Sequence, residues 1–153
     1  MRAKIVLPDL LMEFDMRIVT AVQPRSESAD SSFDRRLRMS VGRISSCTVI
    51  AVRGEVDATN ARALSAFAAD NLEGCCQLMV DLSGLDFFGT EGLSALHKIN
   101  SACVQRSIPW LIVATTQVSR MLQICDPADA LPKVGSAAAG VAAMDKRRHL
   151  KLL

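Results

Sequence analysis

VDLSGLDFFGTEGLSAL, residues Val80 to Leu96, is the stretch whose reading decides the fold. With the residues just before it, its start gives QLMVDL, Gln77 to Leu82, a short apolar run of strand length. Ser83 to Gly89, with Gly84 and Asp86 inside it, has the composition of a turn. From Thr90 the spacing becomes helical: Leu93, Leu96, Asn100, Cys103 and Val104 fall along one side, and Ser107, Ile108 and Pro109 end the pattern. Thr90 is the expected N-cap, its hydroxyl accepting from an unpaired amide of the first turn, with Glu91 well placed at the positive end of the helix dipole. Strand, tight turn and helix in this order make the building unit of an α/β domain.

Upstream, Leu37, Met39 and Val41 alternate with polar residues, and after Ser45 and Ser46 the segment Thr48 to Val56 alternates again through Ile50, Val52 and Val56. This reads as an antiparallel strand pair. Asp57 or Thr59 is then placed to cap a helix carrying Leu64, Phe67, Ala68 and Leu72 on one face, with Gly74 as its stop. Downstream, Trp110 to Thr115 (WLIVAT) is apolar on both alternating faces, as a strand inside a parallel sheet is. A third helix from Gln117 turns Val118, Met121, Leu122 and Cys125 inward and breaks at Asp126-Pro127, and a fourth begins after Ser136. The order implies right-handed crossovers over a mixed sheet of about four to five strands, with about four helices packed mainly on one face.

The chain of 153 residues fits one domain with a little left over. Half of it is apolar but only 4% is aromatic and tyrosine is absent, so Ala, Val, Leu, Ile and Met must build the core. With 18 Lys and Arg against 16 Asp and Glu, no strong field for nucleic acid or membrane develops. The basic cluster Lys146, Arg147, Arg148, His149 and Lys151 reads as a solvated helix end, favoured by the dipole. Cys47, Cys75, Cys76, Cys103 and Cys125 lack paired C-x-x-C spacing, and their apolar neighbours suit reduced thiols serving as small hydrophobes in a cytosol.

Near the start, Pro8, Asp9, Glu13 and Asp15 interrupt the apolar stretch before a secretory core forms, and the run Ser107 to Ser119 falls short of the ~20 residues that span a bilayer. A soluble, cytoplasmic protein without direct membrane insertion is expected. Met1 to Val22 fits an added strand or helix, or sequence ahead of a later start at Met16 or Met39. Gln23 to Arg36, rich in Ser and charge, reads as mobile.

Several chemistries are excluded by their missing parts. Gly84, Gly89 and Thr90 echo the spacing of a phosphate-binding loop, but no Lys precedes Thr90 to reach the phosphates. No G-x-S-x-G elbow occurs, and His97 and His149 are the only imidazoles. His97, near the apolar stripe, reads as a boundary residue. Asp81, Asp86 and Glu91 read as solvated carboxylates, with no histidine to complete a metal site. No catalytic residue, metal or cofactor is expected.

The stretch Val80 to Leu96 resembles the signature of STAS domains, the family of bacterial anti-sigma factor antagonists: a strand, the pattern D-L-x-x-L, an aromatic or apolar pair, then a D-S-S-G-like turn into a helix. The similarity extends more loosely over Leu37 to about Met144 and includes G-E-V-D-A, Gly54 to Ala58. On this resemblance, residues 1–36 form a partly flexible N-terminal extension and residues 37–153 a STAS domain with a basic C-terminal tail. It implies a non-enzymatic, partner-switching protein that binds an anti-sigma factor of the histidine-kinase-like ATPase type and releases a sigma factor for transcription. Thr90 falls on the family's phosphoacceptor, and a PP2C-type phosphatase would reverse the modification. The implied partner surface comprises Gly54, Glu55, Asp57, Asn60, Phe88, Gly89, Thr90, Glu91, Gly92 and Leu93. Two positions depart from the pattern. The Asp before the acceptor is Gly89, which removes a carboxylate from beside the hydroxyl, and the second small polar residue is Glu91, a like charge beside any phosphate.

STAS-like modules also attach to transporters, so a regulatory subunit of a lipid or anion transport complex is the second reading. A small enzyme using His97 or a cysteine is the third, and no nucleophile, base and orienting residue come together by spacing to support it. Pairing of two copies is left open.

Overall fold

The computed structural model describes the backbone of residues 2–7, 10–15, 37–44 and 46–151, and the side chains of 37–44 and 46–147. Strands β1 (Arg2–Leu7) and β2 (Leu10–Asp15) pair antiparallel as a separate two-stranded sheet, so these two segments of the N-terminal stretch are strand rather than helix. Gln23 to Arg36 lies outside the described residues.

Strands β3 (Arg38–Ile44) and β4 (Cys47–Val56) form the expected antiparallel pair, in register from Arg38 opposite Arg53 to Ile44 opposite Cys47. There follow α1 (Ala61–Asp70), β5 (Gln77–Phe88), α2 (Thr90–Gln105), β6 (Trp110–Val113), α3 (Thr116–Cys125), β7 (Lys133–Val134) and α4 (Ala137–Lys151). The five-stranded sheet runs β3-β4-β5-β6-β7, and every pair after the first is parallel. The fold is thus a single mixed-sheet α/β domain. The sequence had not suggested β7, whose two residues are too short to show a period.

Strand alternation sorts the core onto two faces. Ile50, Val52, Leu78, Val80, Leu82 and Ile112 meet Leu64 and Ala68 of α1, Leu96, Ile99 and Cys103 of α2, and Val118 and Leu122 of α3. Val49, Met79, Leu111 and Val113 face the other way, onto Ala137 and Met144 of α4. Three helices therefore share one face and one covers the other. Each buried Leu or Ile contributes ~1.5–3 kcal/mol of transfer free energy, so a core without tyrosine is sufficient. Trp110 donates its indole N–H to the Asn100 side-chain oxygen at 2.9 Å, which ties β6 to α2.

Two helical residues expected inside are outside. Val104 is 68% exposed, because α2 buries Gly92, Ala95, Leu96, Ile99 and Cys103, and Val104 lies a further ~100° round the helix. Cys125 is exposed at the end of α3, where the chain leaves the sheet; the next residue, Asp126, is buried instead and its carboxylate accepts the Leu131 amide at 3.0 Å. That bond holds the Asp126 carboxyl below its usual range. α1 ends at Asp70 with Asn71 as C-cap, and Gly74, at φ +70°, turns the chain toward β5.

The larger correction concerns Ser83 to Gly89, which is not a turn. β5 continues as strand to Phe88. Beyond Asp81 it outruns β6 and stays paired with β4, through Arg53 opposite Gly84, Gly54 opposite Leu85, Glu55 opposite Phe87 and Val56 opposite Phe88. Register shifts between Ala51 and Arg53 and between Gly54 and Glu55 let the ribbon bend. Gly54 sits at φ +95°, a backbone conformation suited to glycine, and a Cβ on Gly84 would come within 2.9 Å of Arg53 Cγ. The turn-like residues are there because the ribbon is exposed and kinked.

All five cysteines are free thiols; Cys47 and Cys103 are buried, Cys75 is half-buried, and Cys76 and Cys125 are exposed. Only the first three therefore serve as core filler. Burial pushes the Cys47 thiol up from 9.0 to about 12 and the Cys103 thiol to about 11. Alkylation of the native chain at about pH 8 is expected to modify Cys76 and Cys125 and spare Cys47 and Cys103 until the chain unfolds, as peptide mass spectrometry would show. Both buried thiols are neutral in the folded chain and ionise near 9.0 when unfolded. Their contribution to stability is complete below about pH 9 and is lost as pH rises toward 11 and 12.

Candidate functional site

The parallel strands β4 and β5 end side by side, and each leads directly into a helix. Ligand and partner sites of open α/β sheets gather at such carboxyl ends. The first connection is 57–60 and the second is Gly89, whose amide donates to the carbonyl of Val56, the last residue of β4, at 2.8 Å.

The first connection is braced from within. Asn60 is 5% exposed; its side-chain oxygen accepts the Asp57 amide at 2.9 Å and its side-chain nitrogen donates to the Glu55 carbonyl at 2.8 Å. Asp57 Oδ1 in turn accepts the Thr59 amide at 2.9 Å and the Thr59 hydroxyl at 2.5 Å. The Thr59 hydroxyl, followed by its amide, holds the Asp57 carboxyl below the usual carboxylate range. Neither Asp57 nor Thr59 is the N-cap of α1. Asn60 occupies that position without a side-chain cap bond, and the Asp57 carbonyl takes the Ala61 amide at 3.0 Å. The polar side chains are spent on the loop, so the helix start is met by backbone.

The second connection is a single residue. Gly89, at φ −82° and ψ 171°, is the N-cap of α2, and Thr90 is already helical, which corrects the expected capping role of Thr90. Extended backbone of this kind admits any residue; what Gly89 supplies is space. A Cβ there would lie 3.0 Å from Glu91 Oε2 and 3.3 Å from both Phe87 Cε1 and the Val56 carbonyl oxygen. Thr90 is exposed, and its hydroxyl donates to Glu91 Oε2 at 3.4 Å. Behind it the buried Phe88 ring lies on Gly92 so closely that a Cβ would meet Phe88 Cε2 at 2.5 Å.

The ten residues expected to form the partner surface thus divide by burial. Gly54, Asn60, Phe88, Gly89 and Gly92 are buried and shape the surface from beneath, whereas Glu55, Asp57, Thr90, Glu91 and Leu93 reach solvent. Phe87, expected with Gly54 to Asn60 and Phe88 to Leu93 on the docking surface, is 50% exposed with its ring against Gly89. Two features were not read from the sequence. Thr59 clasps Asp57, a spacing of two residues that Asp-led turns commonly show. A shallow pocket lined by Leu85, Phe87, Phe88, Gln117, Val118 and Met121 extends the surface onto α3, and pairwise proximity of that kind has no local signal. His97 is exposed on α2. Among the described residues no three His, Cys, Asp or Glu side chains come together to hold a metal, and no helix is long and apolar enough to cross a membrane.

The family model described as STAS domain matches residues 38–137. Osmosensory protein A of Mycobacterium tuberculosis is 32% identical over 75 residues, 49% of this chain and 48% of that protein, so the chain spans about half the length of this curated relative. The crystal structure of an anti-sigma factor antagonist from Mycobacterium paratuberculosis superposes with a TM-score of 0.63 at 20% identity, covering 73% of this chain and 97% of that one. The anti-sigma factor antagonist SpoIIAA in its unphosphorylated form gives 0.58 at 12% identity, covering 72% and 96%.

Two outcomes test the site's construction. Helix propensity alone would make Gly92→Ala stabilising by ~1 kcal/mol, but forcing a methyl against the Phe88 ring costs ~1–3 kcal/mol. A lower urea midpoint is expected, recovered in part by adding Phe88→Leu. Asp57, depressed when folded, contributes stability that is present above about pH 4 and lost as pH falls through its folded value. Asp57→Asn is expected to lose less melting temperature than the wild type between neutral pH and about pH 3.

Proposed function

The chain belongs to the STAS domain family, and from that premise we propose that it is an anti-sigma factor antagonist, a non-enzymatic cytoplasmic protein that binds an anti-sigma factor and so frees a sigma factor for transcription. The observation that carries the reading is Thr90. It stands exposed at the first position of α2, its hydroxyl unused by any backbone group, next to Gly89, whose amide is bonded to the last residue of β4. The likeness to two solved antagonists supports the same fold.

In this reading the partner rests on Glu55, Asp57, Thr90, Glu91 and Leu93, over a floor made by Gly54, Asn60, Phe88, Gly89 and Gly92. The partner is an anti-sigma factor of the histidine-kinase-like ATPase type, which transfers phosphate to Thr90, and a PP2C-type phosphatase removes it. The physics of the switch is local. Phosphate adds ~2 negative charges at the helix start, where the dipole tolerates them, and those charges must be desolvated and face carboxylates when the partner docks. Binding is therefore favoured in the unmodified state.

Calorimetry with purified histidine-kinase-like anti-sigma factors tests the proposal. Wild type and Thr90→Ala are expected to bind one of them with similar affinity, Thr90→Asp to bind at least ~10-fold more weakly, and ATP to add one phosphate to Thr90 by mass spectrometry. Absence of binding to any such protein, or recovery instead with a permease or transport ATPase, would overturn the antagonist reading in favour of a transporter subunit.

A further inference from the structure

The β3–β4 ladder runs unbroken from Ile44 opposite Cys47 to Arg38 opposite Arg53, so the two arginines stand side by side on the face that carries Cys47 and Val49. α4 crosses that face diagonally. Gly140 near its start settles onto Met79, Leu111 and Val113, and one turn on Met144 lines a small cavity with Ile44 and Cys47. That path leaves the corner of Arg38 and Arg53 uncovered by the helix, and both residues are exposed. Like charges directly opposite on paired strands are destabilising. Among the described residues, neither arginine has a hydrogen bond or ion pair. Asp81, opposite Ala51 on the same face, turns its Oδ1 to the Ser83 amide at 2.9 Å.

Arg38 has an ordinary use on the edge strand β3, where a charge deters pairing with a second sheet. Arg53 has no such use, since β4 is an inner strand. Its stem is nonetheless given room: it lies against β5 at Gly84, where a Cβ would stand 2.9 Å from Arg53 Cγ. Arg53 is also three residues before Val56, ~10 Å along the strand from the tip that presents Glu55, Asp57, Thr90 and Glu91. The ribbon thus carries a basic pair on its flank and carboxylates at its tip. We infer that Arg38 and Arg53 form a second docking point for the anti-sigma factor, taking an acidic segment of it. The inference rests on the antagonist reading. Two patches of opposite sign fix the direction in which a partner lies, which one patch alone does not. Carboxylates seated between the two guanidiniums also relieve the repulsion that the free chain carries.

The test uses the full chain and a histidine-kinase-like anti-sigma factor that binds it, with association and dissociation followed by surface plasmon resonance at low and high salt. The double variant Arg38→Glu, Arg53→Glu is expected to bind at least ~10-fold more weakly at low salt, mainly through slower association, and the loss to shrink as salt rises. Arg43→Glu, exposed on the same strand but on the opposite face, is expected to have a much smaller effect. In the free chain, Arg38→Gln and Arg53→Gln are each expected to raise the urea midpoint at low salt. Combined, they are expected to gain less than the sum, because either change removes the same repulsion. A lower midpoint in both would mean that a carboxylate of the chain itself, such as Glu13 or Asp15 of β2 beside β3, already takes the pair, and would overturn the inference. Binding of the double reversal that matches Arg43→Glu would overturn it as well and leave the antagonist reading intact. If wild type binds no such anti-sigma factor, the antagonist reading falls and this docking point with it.

Discussion

The hydrogen bond from the Gly89 amide to the Val56 carbonyl closes a ladder on which the rest of the candidate site depends. β4 and β5 stay paired past the point where β6 ends, and two register shifts bend the ribbon so that Val56 and Phe88 finish opposite one another. Only then can both connections leave the sheet at the same height. Had β5 stopped at Leu82 and turned, Thr90 would stand some distance along a free loop, with no fixed relation to Asp57 and Asn60. The ladder also limits what the ribbon can carry: Gly54 for its backbone angle and Gly84 for the approach of Arg53.

The start of α2 is fixed by a different contact. Phe88 is the last strand residue, and its ring turns under the first helical turn onto Gly92. With strand and helix separated by one residue, the ring is the wedge between them, and helix direction follows from how closely Gly92 can sit. On the other side of the sheet the same device recurs where Gly140 lets α4 settle onto Met79 and Leu111. In both places glycine costs helix propensity, ~1 kcal/mol, and the close packing offsets it.

Much of this was legible in the sequence because the patterns were regular. The alternation in Leu37 to Val41 and Thr48 to Val56, and the doubly apolar WLIVAT, gave the strands and which of them lie inside the sheet. Ser83 to Phe88 was misread since Ser, Gly and Asp there have turn chemistry, and what keeps them extended is a partner strand some thirty residues earlier in the chain. Val104 and Cys125 differ from the sequence reading because a helical stripe drawn from sequence is wider than the strip a sheet covers: Val104 faces away beside the buried Cys103, and Cys125 ends α3 where the chain leaves the sheet. Thr90 looked like a cap because threonine caps helices, whereas the cap position belongs to the residue whose backbone is still extended, and that is Gly89.

Asn60, Thr59 and Asp57 use their side-chain groups to hold one another and the backbone, so altering any of them disturbs the first connection itself. A capping threonine would have been in the same position, since modifying its hydroxyl would release a helix amide. Thr90 sits one step inside the helix, its oxygen engaged only with the neighbouring Glu91. Its hydroxyl can therefore change chemically while the ladder, the wedge and the helix start stay as they are. A residue used to switch a binding surface needs that separation, because the signal must alter the surface's charge without altering the fold that presents it.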